Sequence, residues 1–467
     1  MTRLVCVSNR ISLPRKSAAP GGLAIGILSA LRRTGGLWFG WGGDTVEQEP
    51  GKPDIHIREG VTYATIDLKQ SDFELYYNGY ANDVLWPLFH YFLKEMRYSS
   101  ERQDAYESVN RAFAQKLIPL LRDRDLIWVH DYHLIPLGRW LREFGVRKPL
   151  GFFLHIPFPN IEMLRVLPSY AALLRDLTNY DVVGFQTEND LRAFHSGIEH
   201  LCGSGALRPD GRIRVGERVF RAEVFPIGID VAAVQTEAAG AAANEAVRRM
   251  VDSLVGRSLM IGVDRLDYSK GLVERFSAYR QFLDTYPENL GRITYMQIAP
   301  LSRADVRAYV EIRQSLEQAA GRTNGRFADA DWTPIRYLNR NFPHSTLMGF
   351  LRAAKVGLVT PLRDGMNLVA KEFVAAQDEH DPGVLILSTL AGAARELTSA
   401  LLVNPYDARA VSHAIQAALS MPLAERRDRH EEMMQVLRRN DISAWTSRFV
   451  EALKQSQQAD AHVRAVK

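Results

Sequence analysis

The sequence predicts an α/β protein made of two domains, each with a largely parallel β-sheet. Short apolar segments alternate with longer amphipathic segments along the whole chain, which is typical of helices layered on parallel strands. The chain has 467 residues, more than a single hydrophobic core usually holds. A polar, alanine-rich stretch at residues 231–250 interrupts the alternation, and apolar strands begin again after it.

Most predicted strands end in a polar or aromatic residue, where the connection to a helix begins. In chain order they are residues 3–8, 125–130, 150–155, 181–186, 221–229, 258–263, 293–299, 335–339, 355–360, 383–388 and 401–405. Ligands of doubly wound sheets bind beyond the carboxyl ends of the strands, so the residues there are the first candidates for a site. We place the domain boundary near Ile229, with domains at 1–229 and 230–440. Residues 441–467 then form an amphipathic helix with a polar tail.

The composition excludes several classes of protein. Hydrophobic residues make up 46% of the chain and charged residues 24%, as in ordinary globular proteins. The 58 Lys and Arg residues are interspersed with 54 Asp and Glu residues, which argues against nucleic acid as a partner. Only Cys6 and Cys202 are present, too few for a disulfide framework, so we expect a cytoplasmic protein. We expect neither a signal peptide nor a membrane partner.

The segment "VTPLRDGMNLVAKEF" predicts an anion site, because a buried strand runs into a polar glycine turn and then into a helix. The first amides of a helix have no intrahelical acceptor, so those around Asn367, Leu368 and Val369 could hold phosphate oxygens. Glu372 could accept from two ribose hydroxyls, and Asp364 from hydroxyls of a sugar. The alternatives are a charge that complements the helix dipole for Glu372 and a turn-forming role for Asp364.

Cationic residues follow other predicted strands. Arg10 ends the first strand, and the glycine pair that ends at Gly22 would let a phosphate approach the backbone. For the glycine pair taken alone, a plain helix-entry turn is the better explanation. Arg265 and Lys270 flank one turn and could grip a diphosphate, stabilising charge on a departing nucleotide. A solvated surface pair is the alternative for these two, and solvation is the usual state of a loop arginine such as Arg303.

Aromatic and polar residues of the first half suggest a sugar pocket. Tyr77 and Trp86 lie in the aromatic stretch "YYNGYANDVLWPLFHY", and sugar rings stack on such side chains, although core packing explains most of the stretch. Asp131 follows a predicted strand and could accept from sugar hydroxyls, and His155 lies at the end of another predicted strand. For a single histidine at a strand end, a structural role is the more frequent one.

Taken together, these motifs resemble the trehalose-6-phosphate synthases, which are retaining enzymes of glycosyltransferase family 20 with the GT-B fold. The resemblance extends from Leu4 to about Phe449 and includes "VSNR", "PGGLAIGIL", "WVHDYHL", "GFFLHIPFP", "VDRLDYSKG" and "TPLRDGMNLVAKEF". It implies two Rossmann-like domains that face a central cleft, with the last helix crossing back to the first domain. It also implies transfer of glucose from a nucleotide sugar, usually UDP-glucose, to glucose 6-phosphate.

The resemblance assigns roles to individual positions. The acceptor would be bound by Arg10, Tyr77, Trp86, Asp131 and Arg303. The donor would be held by Gly22, Arg265, Lys270, Phe342, Asp364, Leu368, Val369 and Glu372, with His155 contacting the donor glucose. The residues expected to act on the reacting groups are His155, Arg265, Lys270 and Asp364.

The resemblance further implies a front-face mechanism without a metal or another cofactor, in which a leaving phosphate oxygen takes the acceptor proton. A homo-oligomer, either a dimer or a tetramer, is expected. Three alternatives stay open: a glucosylglycerol-phosphate synthase, a related pseudo-glycosyltransferase and a catalytically silent sugar-phosphate sensor. The sequence leaves the donor base open among uracil, adenine and guanine.

Overall fold

The computed structural model describes residues 2–11, 27, 28, 30–32, 35–301 and 307–465. The Cα positions group into two compact units. Unit 1 contains the residues up to Ile227 together with those from Ile442 onward, and unit 2 is Gly228–Asp441.

Within the described residues, unit 1 is organised on a nine-stranded sheet. Its strands are β1 (Arg3–Arg10), β2 (Leu37–Val46), β3 (Asp54–Arg58), β4 (Val61–Lys69), β5 (Asp125–His130), β6 (Leu150–Phe153), β7 (Val182–Phe185), β8 (Arg212–Val215) and β9 (Arg218–Val224). Their order is β3-β4-β2-β1-β5-β6-β7-β9-β8, and only the two edge pairs, β3 with β4 and β8 with β9, are antiparallel. Every residue of β5, β6 and β7 is buried, as expected for parallel strands covered on both faces.

The helices of unit 1 connect these strands. They are α1 (Gln70–Asp72), a π-helix (Phe73–Leu85), α2 (Trp86–Phe89), α3 (Ser100–Leu117), α4 (Leu137–Glu143), α5 (Ile161–Leu164), α6 (Tyr170–Leu177) and α7 (Glu188–Cys202). Two of the longer helices begin at side-chain caps, because Ser99 accepts from the amide of Arg102 and Thr187 from that of Asp190. The aromatic stretch of the sequence, residues 76–91, lies mostly in the π-helix and in α2.

Unit 2 has a six-stranded, fully parallel sheet within the described residues. Its strands are β10 (Ser258–Val263), β11 (Ile293–Ile298), β12 (Ile335–Leu338), β13 (Val356–Val359), β14 (Val384–Ser388) and β15 (Leu401–Val403), in the order β12-β11-β10-β13-β14-β15. This is the Rossmann order, in which the connections reverse direction between β10 and β13. The helices are α8 (Val231–Gly240), α9 (Glu245–Asp252), α10 (Leu272–Thr285), α11 (Arg307–Phe327), α12 (His344–Ala353), α13 (Leu368–Ala376), α14 (Ala408–Ser420) and α15 (Leu423–Arg439).

The last helix, α16 (Ile442–Ala465), packs on the sheet of unit 1. The ring of Phe449 stacks on Trp128, with centroids 4.4 Å apart and planes 11° apart. Gly151 and Gly184 make room for the Phe449 ring, since a Cβ on either glycine would lie 2.6 or 2.8 Å from it. Full burial of one such side chain stabilises the fold by roughly 1.5–3 kcal/mol.

The prediction of two Rossmann-like parallel-sheet units is confirmed. Each segment predicted as a strand overlaps an observed strand, whereas β2, β3, β4 and β8 had not been predicted.

Candidate active site

In unit 2, two loops meet at the reversal point of the sheet. A short 3₁₀ turn, Tyr268–Lys270, follows β10, and the polar glycine turn follows β13. Lys270 Nζ donates to Asp364 Oδ2 at 2.5 Å, and Asn367 Nδ2 donates to the same oxygen at 3.0 Å. The side chains of Lys270 and Asp364 are each 14% exposed, so the ion pair is accessible from one side. These three residues were predicted at the site and are in direct contact.

A buried arginine, Arg275, holds the turn that carries Lys270 through hydrogen bonds. Arg275 Nη1 donates to Asp264 Oδ2 at 2.7 Å and to Gln297 Oε1 at 2.9 Å. Its Nε donates to Thr360 Oγ1 at 3.1 Å, and its Nη2 to the carbonyl of Lys270 at 3.2 Å. One guanidinium thus joins the ends of β10, β11 and β13, and the sequence analysis had not singled it out.

The start of α13 has the geometry of an anion site. Asn367 has a positive φ of 76°, and its Oδ1 caps the helix by accepting from the amide of Ala370 at 3.2 Å. No described residue accepts from the amides of Leu368 and Val369, which belong to the first helical turn. The helix therefore presents two N–H donors and its positive dipole end beside Asp364.

Glu372 lies further along α13 and is paired with His344, a residue that the sequence analysis had missed. His344 Nε2 is 3.6 Å from Glu372 Oε1, and His344 Nδ1 is 2.7 Å from Glu237 Oε2. The Glu372 carboxylate raises the pKa of His344 to about 9, opposed by burial and reinforced by Glu237. His344 is therefore an imidazolium at neutral pH.

The remaining donor candidates of unit 2 are more dispersed. Arg265 is exposed at the end of β10, on the same loop as Lys270. Phe342 follows β12 and packs edge-on against Phe350, with the Arg340 guanidinium 4.5 Å from its centroid. Gly22 and Arg303, predicted for the donor and the acceptor, lie outside the described residues.

In unit 1, Arg10 and Tyr77 are neighbours of one tryptophan. The Arg10 guanidinium carbon is 5.3 Å from the Trp41 ring centroid, and the Tyr77 ring centroid is 5.7 Å from that of Trp41. A Cβ on Gly43, whose φ is +107°, would lie 3.0 Å from Arg10 Nη2. On its other side, Tyr77 stacks on His133 at 5.7 Å and 13°. Trp41, in an unpredicted strand, is the residue that sequence reasoning missed here.

Asp131 and His155 are also in contact. Asp131 has an unusual φ of 77°, and its Oδ1 accepts from the amide of His155 at 3.2 Å. His155 Nε2 lies 3.2 Å from Nδ1 of the fully buried His130. Burial lowers the pKa of His155 to about 3, so the ring is neutral. Strain of this kind at Asp131 is typical of functional sites.

Trp86 is only 5% exposed. Its ring packs on His90, with centroids 4.2 Å apart, and on Tyr132 at 5.8 Å. Its assignment to the acceptor site stays a prediction.

Two Rossmann-type units, with cationic and acidic side chains at their strand ends, are typical of glycosyltransferases of the GT-B class. The model of glycosyltransferase family 20 matches residues 7–455, and the chain belongs to that family.

Curated and solved relatives agree with this assignment. The chain is 50% identical over 457 residues to a trehalose-6-phosphate synthase of Escherichia coli, covering 97% of this chain and 96% of the relative. A UDP-forming α,α-trehalose-phosphate synthase of Burkholderia xenovorans, solved in complex with glucose-6-phosphate, is 47% identical, with a TM-score of 0.93 and coverage of 97% and 100%. An E. coli structure bound with UDP-2-fluoro glucose is 49% identical, with a TM-score of 0.93 and coverage of 97% and 99%.

Two features are absent from the described part of the chain. No helix there is both long enough and apolar enough to cross a membrane. No group of three or more His, Cys, Asp or Glu side chains there is arranged to hold a metal ion.

Proposed function

We propose that this glycosyltransferase is an α,α-trehalose-phosphate synthase that transfers glucose from UDP-glucose to glucose 6-phosphate. The observation that carries the proposal is the contact of Lys270, Asp364 and Asn367 beside the open amides of α13. A cation, hydroxyl acceptors and amide donors at one place suit a nucleotide diphosphate that carries a sugar. The relatives that are UDP-forming or were solved with UDP-2-fluoro glucose support uracil as the donor base.

On the donor side, the amides of Leu368 and Val369 would hold phosphate oxygens, and Glu372 would accept from the ribose hydroxyls. Asp364 would accept from hydroxyls of the transferred glucose. By resemblance, Gly22 and Phe342 complete the donor site, with Phe342 beside the base.

On the acceptor side, Arg10 would pair with the phosphate of glucose 6-phosphate, because a guanidinium matches a phosphate dianion in charge and shape. Tyr77 is half-buried, has Trp41 as a neighbour in common with Arg10, and would offer a ring face and a hydroxyl to the sugar. Asp131 would accept from an acceptor hydroxyl. Trp86 and Arg303 belong to this half by resemblance.

The reaction would retain the anomeric configuration by a front-face route without a metal. The sugar–phosphate bond breaks first, leaving an oxocarbenium-like glucose and a more negative diphosphate. Lys270 and Arg265 stabilise that growing charge, which a metal ion does in other enzymes. A diphosphate oxygen then takes the proton of the attacking hydroxyl, while Asp364 and His155 hold the glucose.

The test is product formation by the purified full-length protein. Glucose 6-phosphate is incubated with UDP-, ADP- or GDP-glucose in the presence of chelator, and products are identified by mass and by anomeric coupling in NMR spectra. An α,α-linked disaccharide phosphate from UDP-glucose is the expected product. A product with another acceptor, or tight binding of sugar phosphate without turnover, would overturn the proposal in favour of another synthase or a sensor.

The proposal includes a homo-oligomer, either a dimer or a tetramer, which light scattering of the purified protein will test. It also includes a cytoplasmic location, supported by two cysteines that are both free thiols.

A further inference from the structure

His344 occupies a distinctive place in unit 2. It is the first residue of α12, and its two ring nitrogens face carboxylates from two other helices. Glu237 belongs to α8 and Glu372 to α13, and both helices pack against α12. The side chains of His344 and Glu372 are 16% and 14% exposed, so this ion pair is largely shielded from solvent.

The two contacts differ in length. The 2.7 Å contact between Nδ1 and Glu237 is a hydrogen bond, which fixes the ring plane. The 3.6 Å contact between Nε2 and Glu372 is longer than a hydrogen bond and is an ion pair. Glu237 thus anchors the ring, and the positive charge of the ring attracts Glu372. A neutral residue at position 344 would leave two carboxylates near each other without a cation between them.

We infer that His344 is a positioning residue for the donor, whose positive charge holds the Glu372 carboxylate in place to accept from the ribose hydroxyls. The inference rests on the proposed function, because it takes the role of Glu372 from there. It deepens that function by adding a residue that does not itself touch the substrate.

This role has a kinetic signature. The ribose stays bound while the sugar–phosphate bond breaks, so a weaker ribose contact destabilises the ground state and the transition state equally. The KM for the donor then rises while kcat is unchanged. The KM for glucose 6-phosphate is not expected to change.

The experiment compares His344→Gln with wild type on two donors, UDP-glucose and its 2′,3′-dideoxyribose analogue. Loss of a charge-assisted contact predicts a rise of roughly tenfold in KM for UDP-glucose, with kcat within about twofold. On the dideoxy donor, wild type and variant should have the same KM, because there is no hydroxyl for Glu372 to accept from. His344→Arg keeps a planar cation with several donors and should restore most of the loss.

Two further variants keep the test decisive. His380→Gln alters an exposed histidine of the same unit and should leave both donors unaffected. Glu237→Gln removes the anchor of the ring but keeps the cation, and should show a smaller rise in KM for UDP-glucose only. If His344→Gln is poorly folded, Glu237→Gln and His344→Arg take its place in the comparison of the two donors. An equal loss on both donors, or a fall in kcat alone, overturns the inference.

Binding calorimetry separates this inference from the proposed function. UDP and 2′,3′-dideoxy-UDP are titrated into wild type and His344→Gln without acceptor. If His344→Gln weakens UDP and not the dideoxy compound, the inference holds even when no disaccharide is formed. If both compounds bind equally to both proteins while transfer proceeds, the proposed function stands and the inference fails.

Discussion

Gly271→Ala tests whether the turn that presents Lys270 needs a residue without a side chain. Gly271 follows Lys270 directly and caps the start of α10 in the left-handed conformation, with φ +64° and ψ 34°. A Cβ built on it would lie 2.6 Å from the carbonyl oxygen of Thr360 and 3.1 Å from Leu362 Cδ2. The first of these atoms belongs to the backbone and cannot rotate away.

The expected loss of stability has two parts. An L side chain in the left-handed region costs roughly 1–2 kcal/mol. An ordinary contact begins near 3.4 Å, so the 2.6 Å approach to Thr360 requires the loops to separate by about 0.8 Å. Overpacking of this kind typically costs about 1–3 kcal/mol. We therefore expect Gly271→Ala to lower the free energy of unfolding of unit 2 by about 2–5 kcal/mol.

Urea unfolding of the full-length protein measures this loss, with Gly256→Ala as the matched control. Gly256 also has a positive φ, +78°, but nothing lies within 4 Å of a Cβ there, so the control isolates the backbone cost. The difference between the two variants, about 1–3 kcal/mol, is the contribution of the close approach. Only Gly271→Ala should also lower kcat, since it shifts Lys270. Equal losses in the two variants would refute the reasoning.

Three further predictions concern other parts of the molecule. Lys270→Ala should lower kcat by roughly 10²–10³-fold, because the leaving diphosphate is most charged in the transition state, and an unchanged kcat in steady-state assays would contradict this. Phe449→Ala should destabilise the protein to urea by about 3–5 kcal/mol, whereas the exposed Ser447→Ala should not, and similar midpoints would disprove the packing role. The pKa of His344 is raised from 6.5 to about 9, so its stabilisation is complete below pH 6.5 and is lost as pH rises through 9. After allowance for the partial exposure of His344, this stabilisation of the fold is about 1–3 kcal/mol. A urea midpoint that does not change as the pH rises through 9, or that falls equally in His344→Gln, would contradict the prediction.

The central strands were predictable because burial on both faces leaves continuous apolar runs such as "DLIWVH". The strands that were missed lack this signal. All residues of β3 are exposed, and β8 is a short polar strand, so both read as loop. In β2 the glycines of "GWGG" suggest a turn, although the strand pairs with β1 and β4 on its two sides.

The candidate site was predictable to the extent that topology alone determines it. Parallel strands bring their carboxyl ends to one edge, so Lys270 and Asp364 could be expected near each other although 94 residues separate them. The partners of a side chain on a helix cannot be predicted from strand order in this way. Arg275 reads as a surface cation of an amphipathic helix, and its burial depends on Gly262, where a Cβ would lie 2.7 Å from Nη1.

Arg275 also links the position of the Lys270 turn to the stability of unit 2. Burying a guanidinium is costly unless its donors find acceptors, and here the acceptors are Asp264, Gln297, Thr360 and the Lys270 carbonyl. Each acceptor belongs to a different strand end or turn, so the guanidinium is satisfied only when all of them are in position. A displacement of the Lys270 turn would therefore leave a buried donor without its acceptor. The hydrogen bonds of Arg275 therefore stabilise the same arrangement of the turn that places Lys270 beside Asp364.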